Sequence, residues 1–96
     1  MADNPEQLEI NKKLEVMNKV GLHARAAAKI ALKSKEFKSQ IIISKDGVSA
    51  DGRSILDILT LNCPKGTYLE VRAKGEDARE VIEALTQLFN DKFEEE

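Results

Sequence analysis

Asp46-Gly47 stands between two stretches of alternating character and constrains the fold more than any other pair in the chain. Before it, Ile41 and Ile43 share one face of an extended segment; after it, Val48 and Ala50 begin the return. Asp-Gly supplies the positive φ that a tight turn demands, so "SQIIISKDGVSAD" predicts an antiparallel hairpin. A hairpin with one apolar face is not stable alone, and the rest of the chain must cover that face.

The flanking segments supply the cover. From Ile10 to Met17, Leu14 and Val16 alternate with Lys13 and Glu15, which predicts a half-buried strand whose start is blurred by Lys12. A helix is expected from Ala24 to Lys35, with Ala27, Ile30, Ala31 and Ser34 on one face and Lys33 and Lys35 at its negative end. A short helix follows from Ser54 to Leu61, with Ser54 as cap, Asp57 in a capping-box position and Ile58 and Leu61 turned inward. "CPKG" makes a turn, and "TYLEVRA" is a strand with Leu69, Val71 and Ala73 on one face. The last helix, Glu76 to Asn90, carries an apolar stripe of Ala78, Val81, Ile82, Leu85 and Phe89. The order β-α-β-β-α-β-α predicts an α+β fold, a sheet with helices packed on one face.

Ninety-six residues suit a single domain. Residues 1–7 read as a frayed extension, residues 8–92 as the domain and residues 93–96 as a solvated acidic tail. Fifteen Lys and Arg against 17 Asp and Glu give a net charge of −2, and aromatics are 4% of the chain. That balance argues against nucleic acid, which needs clustered cations and stacking rings. No apolar run approaches the ~20 residues that span a bilayer, and "MADNPEQLEI" lacks the basic and apolar parts of a signal peptide. Cys63 is the only cysteine, so no intramolecular disulfide can form; a cytoplasmic protein is expected. Beside Pro64, Cys63 reads as a small structural residue or as a reactive thiol, with nothing adjacent to activate it. No Ser/His/Asp set, metal-ligand cluster or glycine-rich phosphate loop is visible, so no metal, cofactor or independent enzymatic activity is expected.

One helix breaks a local rule. Glu76, Asp77 and Glu80 crowd the start of the last helix, as the peptide dipole favours. The first helix opens instead on "VGLHARAAA", with a lone histidine, an arginine and no acid. Free amides at such an end, with Arg25 beside them, suit a phosphate. His23 has two open readings: an ordinary cap or surface residue, or a group that binds phosphate or takes a phosphoryl group on a neutral ring nitrogen.

"NKVGLHARAAAKI" resembles the active-site segment of the histidine-containing phosphocarrier protein (HPr) family of the phosphoenolpyruvate-dependent phosphotransferase system. "DGVSADGRSILDILTL" and "PKGTYLEVRAKGEDAREVIEAL" extend the resemblance over most of the chain, and "ALTQLFNDKFEEE" is nearer to the family's nitrogen-related branch. The resemblance implies an open-faced β-sandwich, four antiparallel strands with three helices on one face. It implies that His23 accepts a phosphoryl group on Nδ1 from phosphorylated enzyme I and donates it to an enzyme IIA domain. Arg25 and the backbone amides of Ala24, Arg25 and Ala26 would steady the phosphoryl charge. The charge missing from the helix start would then arrive on His23, where a resident carboxylate would repel it.

The family usually has proline where this chain has Ala26, which implies a changed phosphohistidine lifetime or transfer rate. Ser54 matches a serine that a dedicated kinase (HPr kinase/phosphorylase) phosphorylates in many members; on residue type alone it is equally a helix cap. Ile55, Leu56 and Leu59 with Ala28 are candidates for an apolar docking patch or for core, and Arg25, Lys29 and Lys35 for charge that aids encounter. Leu32 falls where sugar-branch members often carry a basic residue. A monomer is expected. The alternative is a mainly regulatory protein, controlled at Ser54, that docks on a transcriptional regulator or kinase. A small nucleic-acid module is disfavoured by charge and composition.

Overall fold

Two-residue alternation becomes four strands and helical spacing three helices in the computed structural model, which describes residues 8–95. In chain order these are β1 (Glu9–Glu15), α1 (Ala24–Ser34), β2 (Gln40–Lys45), β3 (Val48–Asp51), α2 (Ile55–Leu59), β4 (Tyr68–Lys74) and α3 (Ala78–Asn90). The expected N-terminal extension, residues 1–7, lies outside the described residues.

The strands form one antiparallel sheet in the order β1-β4-β2-β3. The hairpin is as expected, with positive φ at both Asp46 (49°) and Gly47 (82°), the backbone of a type I′ turn. Register lines the apolar residues up across the sheet: Leu14 faces Leu69, Ile43 faces both Val71 and Ala50, and Ile41 faces Ala73. These residues are buried under the helices, whereas Lys13, Glu70 and Ser49 on the other face are exposed. The sheet is therefore covered on one side only, which satisfies the demand the hairpin made. The strand expected to begin at Ile10 begins at Glu9, and Val16 stays tied to the sheet through its N–H to the Thr67 carbonyl at 2.8 Å.

All five residues of the α3 stripe are buried, as are Ala27, Ile30, Ala31 and Ser34 of α1. Ala26 is fully buried as well. With three alanines inward, α1 brings its backbone close to the core, and with it the residues at its first turn.

Two acidic residues act differently from expectation. Helix α3 starts at Ala78 rather than Glu76, and Asp77 makes no side-chain cap. Its carboxylate accepts from the Lys38 N–H at 2.8 Å, the Ser39 N–H at 2.9 Å and the Ser39 hydroxyl at 2.5 Å. Those amides enter β2 with no other partner at hand, so a distant donor outweighs the local dipole. In α2, Ser54 Oγ accepts from the Asp57 N–H at 3.1 Å, but the Asp57 carboxylate reaches the Asp51 amide at 3.0 Å instead of closing a capping box.

The expected acidic tail needs a larger correction. Lys92, Phe93 and Glu94 all lie in the left-handed region, with φ of 54°, 56° and 64°, and turn the chain back on itself. Phe93 is fully buried, its ring edge-on to Phe89 at 4.9 Å and 61°. Over residues 93–95 the segment is part of the domain, because the aromatic side chain four positions after Phe89 has a core to enter; residue 96 lies outside the described residues.

Candidate functional site

The loop between β1 and α1 is shaped by residues that leave few alternatives. Gly21 sits at φ +76°, and a Cβ there would lie 2.6 Å from the Cys63 carbonyl oxygen. That carbonyl already accepts from the Leu22 N–H at 2.8 Å, so the loop is clamped against the turn after α2. Asn18, fully buried, donates Nδ2 to the Gly21 carbonyl at 2.6 Å. Cys63 is a free, buried thiol whose pKa burial raises despite nearby Lys45, which supports the structural reading over the reactive one.

His23 follows this loop as the N-cap of α1 and has an extended backbone. Its Nδ1 accepts from the Arg25 N–H at 3.2 Å, the usual geometry of a side-chain cap. An amide can only donate, so Nδ1 carries a lone pair and, in the neutral ring, the proton is on Nε2. Nε2 lies 2.7 Å from Glu95 Oε2, and Glu95 Oε1 accepts from Asn18 Nδ2 at 3.0 Å. The imidazole is thus held on two edges and remains about one-third exposed, at 33%. Burial alone would raise the Glu95 carboxyl pKa; donation from Asn18 and His23, with the positive potential of His23 and Arg25, outweighs it and holds the carboxyl below its ordinary range.

Two faces of the ring therefore have different chemistry. Nδ1 points at the amide end of α1, where the Ala24 and Ala26 N–H groups have no partner within the helix and the peptide dipole is positive. Nε2 points at a carboxylate. An anionic group joined to Nδ1 would meet donors, and positive charge on the ring would meet Glu95. The first turn of α1 holds no acid, as expected, yet the site does have a resident carboxylate. It comes from 72 positions away and occupies the ring edge opposite the amides, so it does not compete with an anion there.

The sequence-selected residues scatter more than expected. Arg25 and Ala24 are exposed at the helix start, while Ala26 contributes only its backbone because its methyl group is buried. Lys29 is not a free encounter charge: Nζ donates to the Phe93 carbonyl at 2.6 Å and pairs with Glu94 at 3.3 Å. Lys35 is the C-cap of α1, at the far end of an 11-residue helix from His23, about 18 Å along the axis. Leu56 is 77% exposed and Ile55 37%, whereas Leu59 packs against the core; Ala28 is half-buried. Val20, three residues before His23, is a further exposed apolar residue and was not selected from the sequence. Ser54 is half-buried at its cap, and neighbouring Arg53 donates Nη2 to the Phe37 carbonyl rather than lying free beside the hydroxyl.

Among the described residues no group of His, Cys, Asp and Glu is arranged to hold a metal ion, and no helix is long and apolar enough to cross a membrane. Glu95, Asn18 and the Lys29 clamp on Phe93 are the parts that sequence reasoning missed. The only signal for them was a phenylalanine set within an acidic ending.

Comparison with known proteins bears on the same segment. A family model described as "PTS HPr component phosphorylation site" matches residues 10–91. Phosphocarrier protein HPr of Neisseria meningitidis is 37% identical over 86 residues, 90% of this chain and 97% of that protein. Phosphocarrier protein NPr of Escherichia coli is 32% identical over 90 residues, 93% of this chain and 100% of that protein. The crystal structure of HPr from Thermoanaerobacter tengcongensis superposes with a TM-score of 0.87 at 38% identity, covering 91% of this chain and 98% of the other. A one-sided four-stranded sheet, a histidine at the amide end of its first helix and relatives matched along nearly their whole length lead to one conclusion: the chain belongs to the HPr family of the phosphotransferase system.

Proposed function

We propose that this chain is a stoichiometric phosphoryl carrier of the cytoplasm, in which His23 takes a phosphoryl group on Nδ1 from phosphorylated enzyme I and passes it to an enzyme IIA domain. The observation that carries the reading is the placement of Nδ1, 3.2 Å from the Arg25 amide at the start of α1, on a ring that solvent and partners can still reach. A phosphoryl group on Nδ1 replaces that single hydrogen bond with several from the Ala24, Arg25 and Ala26 amides, while the Arg25 guanidinium adds a mobile cation. Such donors in a fixed array cost no reorganisation when charge arrives.

The exposed apolar side chains of Val20, Ile55 and Leu56, with half-buried Ala28, are the docking area for both partners. A carrier that must leave each partner quickly needs a small interface of this kind. Alanine at position 26 retains an amide that proline would lack, adding a donor to the phosphoryl site at the expense of a less rigid first turn. Ser54 caps α2 one residue before this surface, so a phosphate there would obstruct docking through charge rather than unfold the domain. The carrier reading is favoured because the His23 ring is oriented for it, whereas the Ser54 hydroxyl already has a structural partner.

The test is incubation with enzyme I and labelled phosphoenolpyruvate. Wild-type protein is expected to gain one acid-labile phosphoryl group, to lose it to a IIA domain, and to gain none as His23→Ala. Absence of label, or equal labelling of His23→Ala, overturns the reading.

A further inference from the structure

We propose that Glu95 is a positioning residue for phosphoryl acceptance: brought back by the left-handed turn, its carboxylate fixes the proton of His23 on Nε2 and so keeps the attacking lone pair on Nδ1, against the amide end of α1. This rests on the carrier reading of His23. Free imidazole exchanges its proton between both nitrogens, and a ring with the proton on Nδ1 can neither cap α1 nor attack phosphorus from that atom. A carboxylate on the other nitrogen selects the productive form, as the acid partner of a catalytic or metal-bound histidine does.

The arrangement is built from several independent parts. Glu95 is held by its second oxygen, 3.0 Å from Asn18 Nδ2, and Asn18 is itself fully buried beneath the loop that carries His23. The turn that delivers Glu95 is anchored inside by Phe93 and outside by Lys29, whose ammonium lies 2.6 Å from the Phe93 carbonyl. Three successive non-glycine residues in the left-handed region are unfavourable by themselves and persist only where the surroundings over-determine them. Here the surroundings converge on one ring nitrogen.

The transfer step balances without further components. The Nδ1 lone pair attacks the phosphorus of the donor's phosphohistidine; the donor N–P bond breaks, and its electron pair returns to the donor ring. The His23 ring then carries phosphorus on Nδ1 and the original proton on Nε2, with a positive charge that faces the Glu95 carboxylate. The phosphoryl oxygens face the amides. On discharge the same events run in reverse, and the proton remains on Nε2 throughout.

The experiment compares wild type, Glu95→Ala, Glu95→Asp and the charge control Glu70→Ala, which lies on the open sheet face. Initial rates of labelling by enzyme I are read alongside nitrogen-15 spectra of the imidazole. Glu95→Ala is expected to label about tenfold more slowly and to show a ring whose two nitrogens share the proton. Wild type and Glu70→Ala are expected to show it on Nε2 and to label alike, with partial recovery in Glu95→Asp. If wild type labels at His23 while Glu95→Ala labels at the same rate with an unchanged nitrogen spectrum, the positioning role is overturned and the carrier reading stands. If wild type does not label at all, the carrier reading falls first.

Discussion

Phe93→Ala separates two ways in which the end of the chain can hold on to the domain. The phenyl ring is fully buried and meets Phe89 edge-on at 4.9 Å. Removing such a ring from a rigid core costs about 3–5 kcal/mol, transfer and cavity together, of which the ring pair accounts for about 0.5–1.5 kcal/mol. The core around Phe93 is not rigid on the outer side, because its own turn forms the wall. Releasing Lys92, residue 93 and Glu94 from left-handed backbone, which is unfavourable by itself, returns part of that cost. With the anchor gone, the turn therefore detaches rather than enclosing a cavity, and the net loss is expected to be about 1–3 kcal/mol. Urea denaturation reads this as a lower midpoint with a nearly unchanged slope. Amide exchange should at the same time lose protection at Glu94 and Glu95, whose N–H groups now bond to the Asp91 and Lys92 carbonyls. A loss under about 0.5 kcal/mol, or full exchange protection in the variant, refutes the idea that the ring pins the turn.

Asp77→Asn is expected to cost about 1–2 kcal/mol near neutral pH, since its carboxylate holds the entry to β2 through charge-assisted bonds. Burial opposes ionisation of Asp77, but the Ser39 hydroxyl and the Lys38 and Ser39 amides prevail and lower its pKa. A lowered folded-state value means that the contribution is complete above the ordinary aspartate range near about 3.9 and is lost as pH falls through the folded value. The gap in denaturation midpoint between wild type and variant should then close below pH 4 or so, and a gap independent of pH would count against the assignment. Gly21→Ala must place a methyl group 2.6 Å from the Cys63 carbonyl oxygen in a backbone region hostile to side chains, and a loss of at least about 2 kcal/mol is expected by thermal unfolding. A variant as stable as wild type would show that the loop is not clamped against the Cys63 carbonyl.

What could be read from the sequence divides by range. The Asp46-Gly47 turn, the strand faces of Ile41, Ile43, Leu69 and Val71, and the α3 stripe rest on neighbours two to four positions apart, where spacing alone fixes the face. His23 was conspicuous for a similar reason, since the absence of acids in its helical turn is a local fact. The partner of His23 was invisible because Glu95 lies 72 positions away, and a carboxylate among other carboxylates carries no periodic mark. Asp77 misled for the complementary reason: its place before α3 fits the dipole rule, but its donors lie 38 and 39 positions earlier. Lys29 was a candidate for encounter charge and Leu59 for docking patch or core, and only packing shows one clamping a turn and the other leaning on the core. Polar contacts between distant segments are decided by the finished fold.

The sheet order has a further consequence for synthesis. β4 is the last strand to leave the ribosome, yet it occupies an inner position, with β1 on one side and β2 on the other. Until residues 68–74 emerge, the sheet of a nascent chain is only the hairpin and an unpaired first strand, with Leu14 and Ile41 lacking their cross-strand neighbours and Ile43 paired on one side alone. Assembly must wait for β4 and then proceed by insertion between two existing edges. Stalled or shortened products ending before Tyr68 are accordingly the forms of this protein most exposed to aggregation and proteolysis.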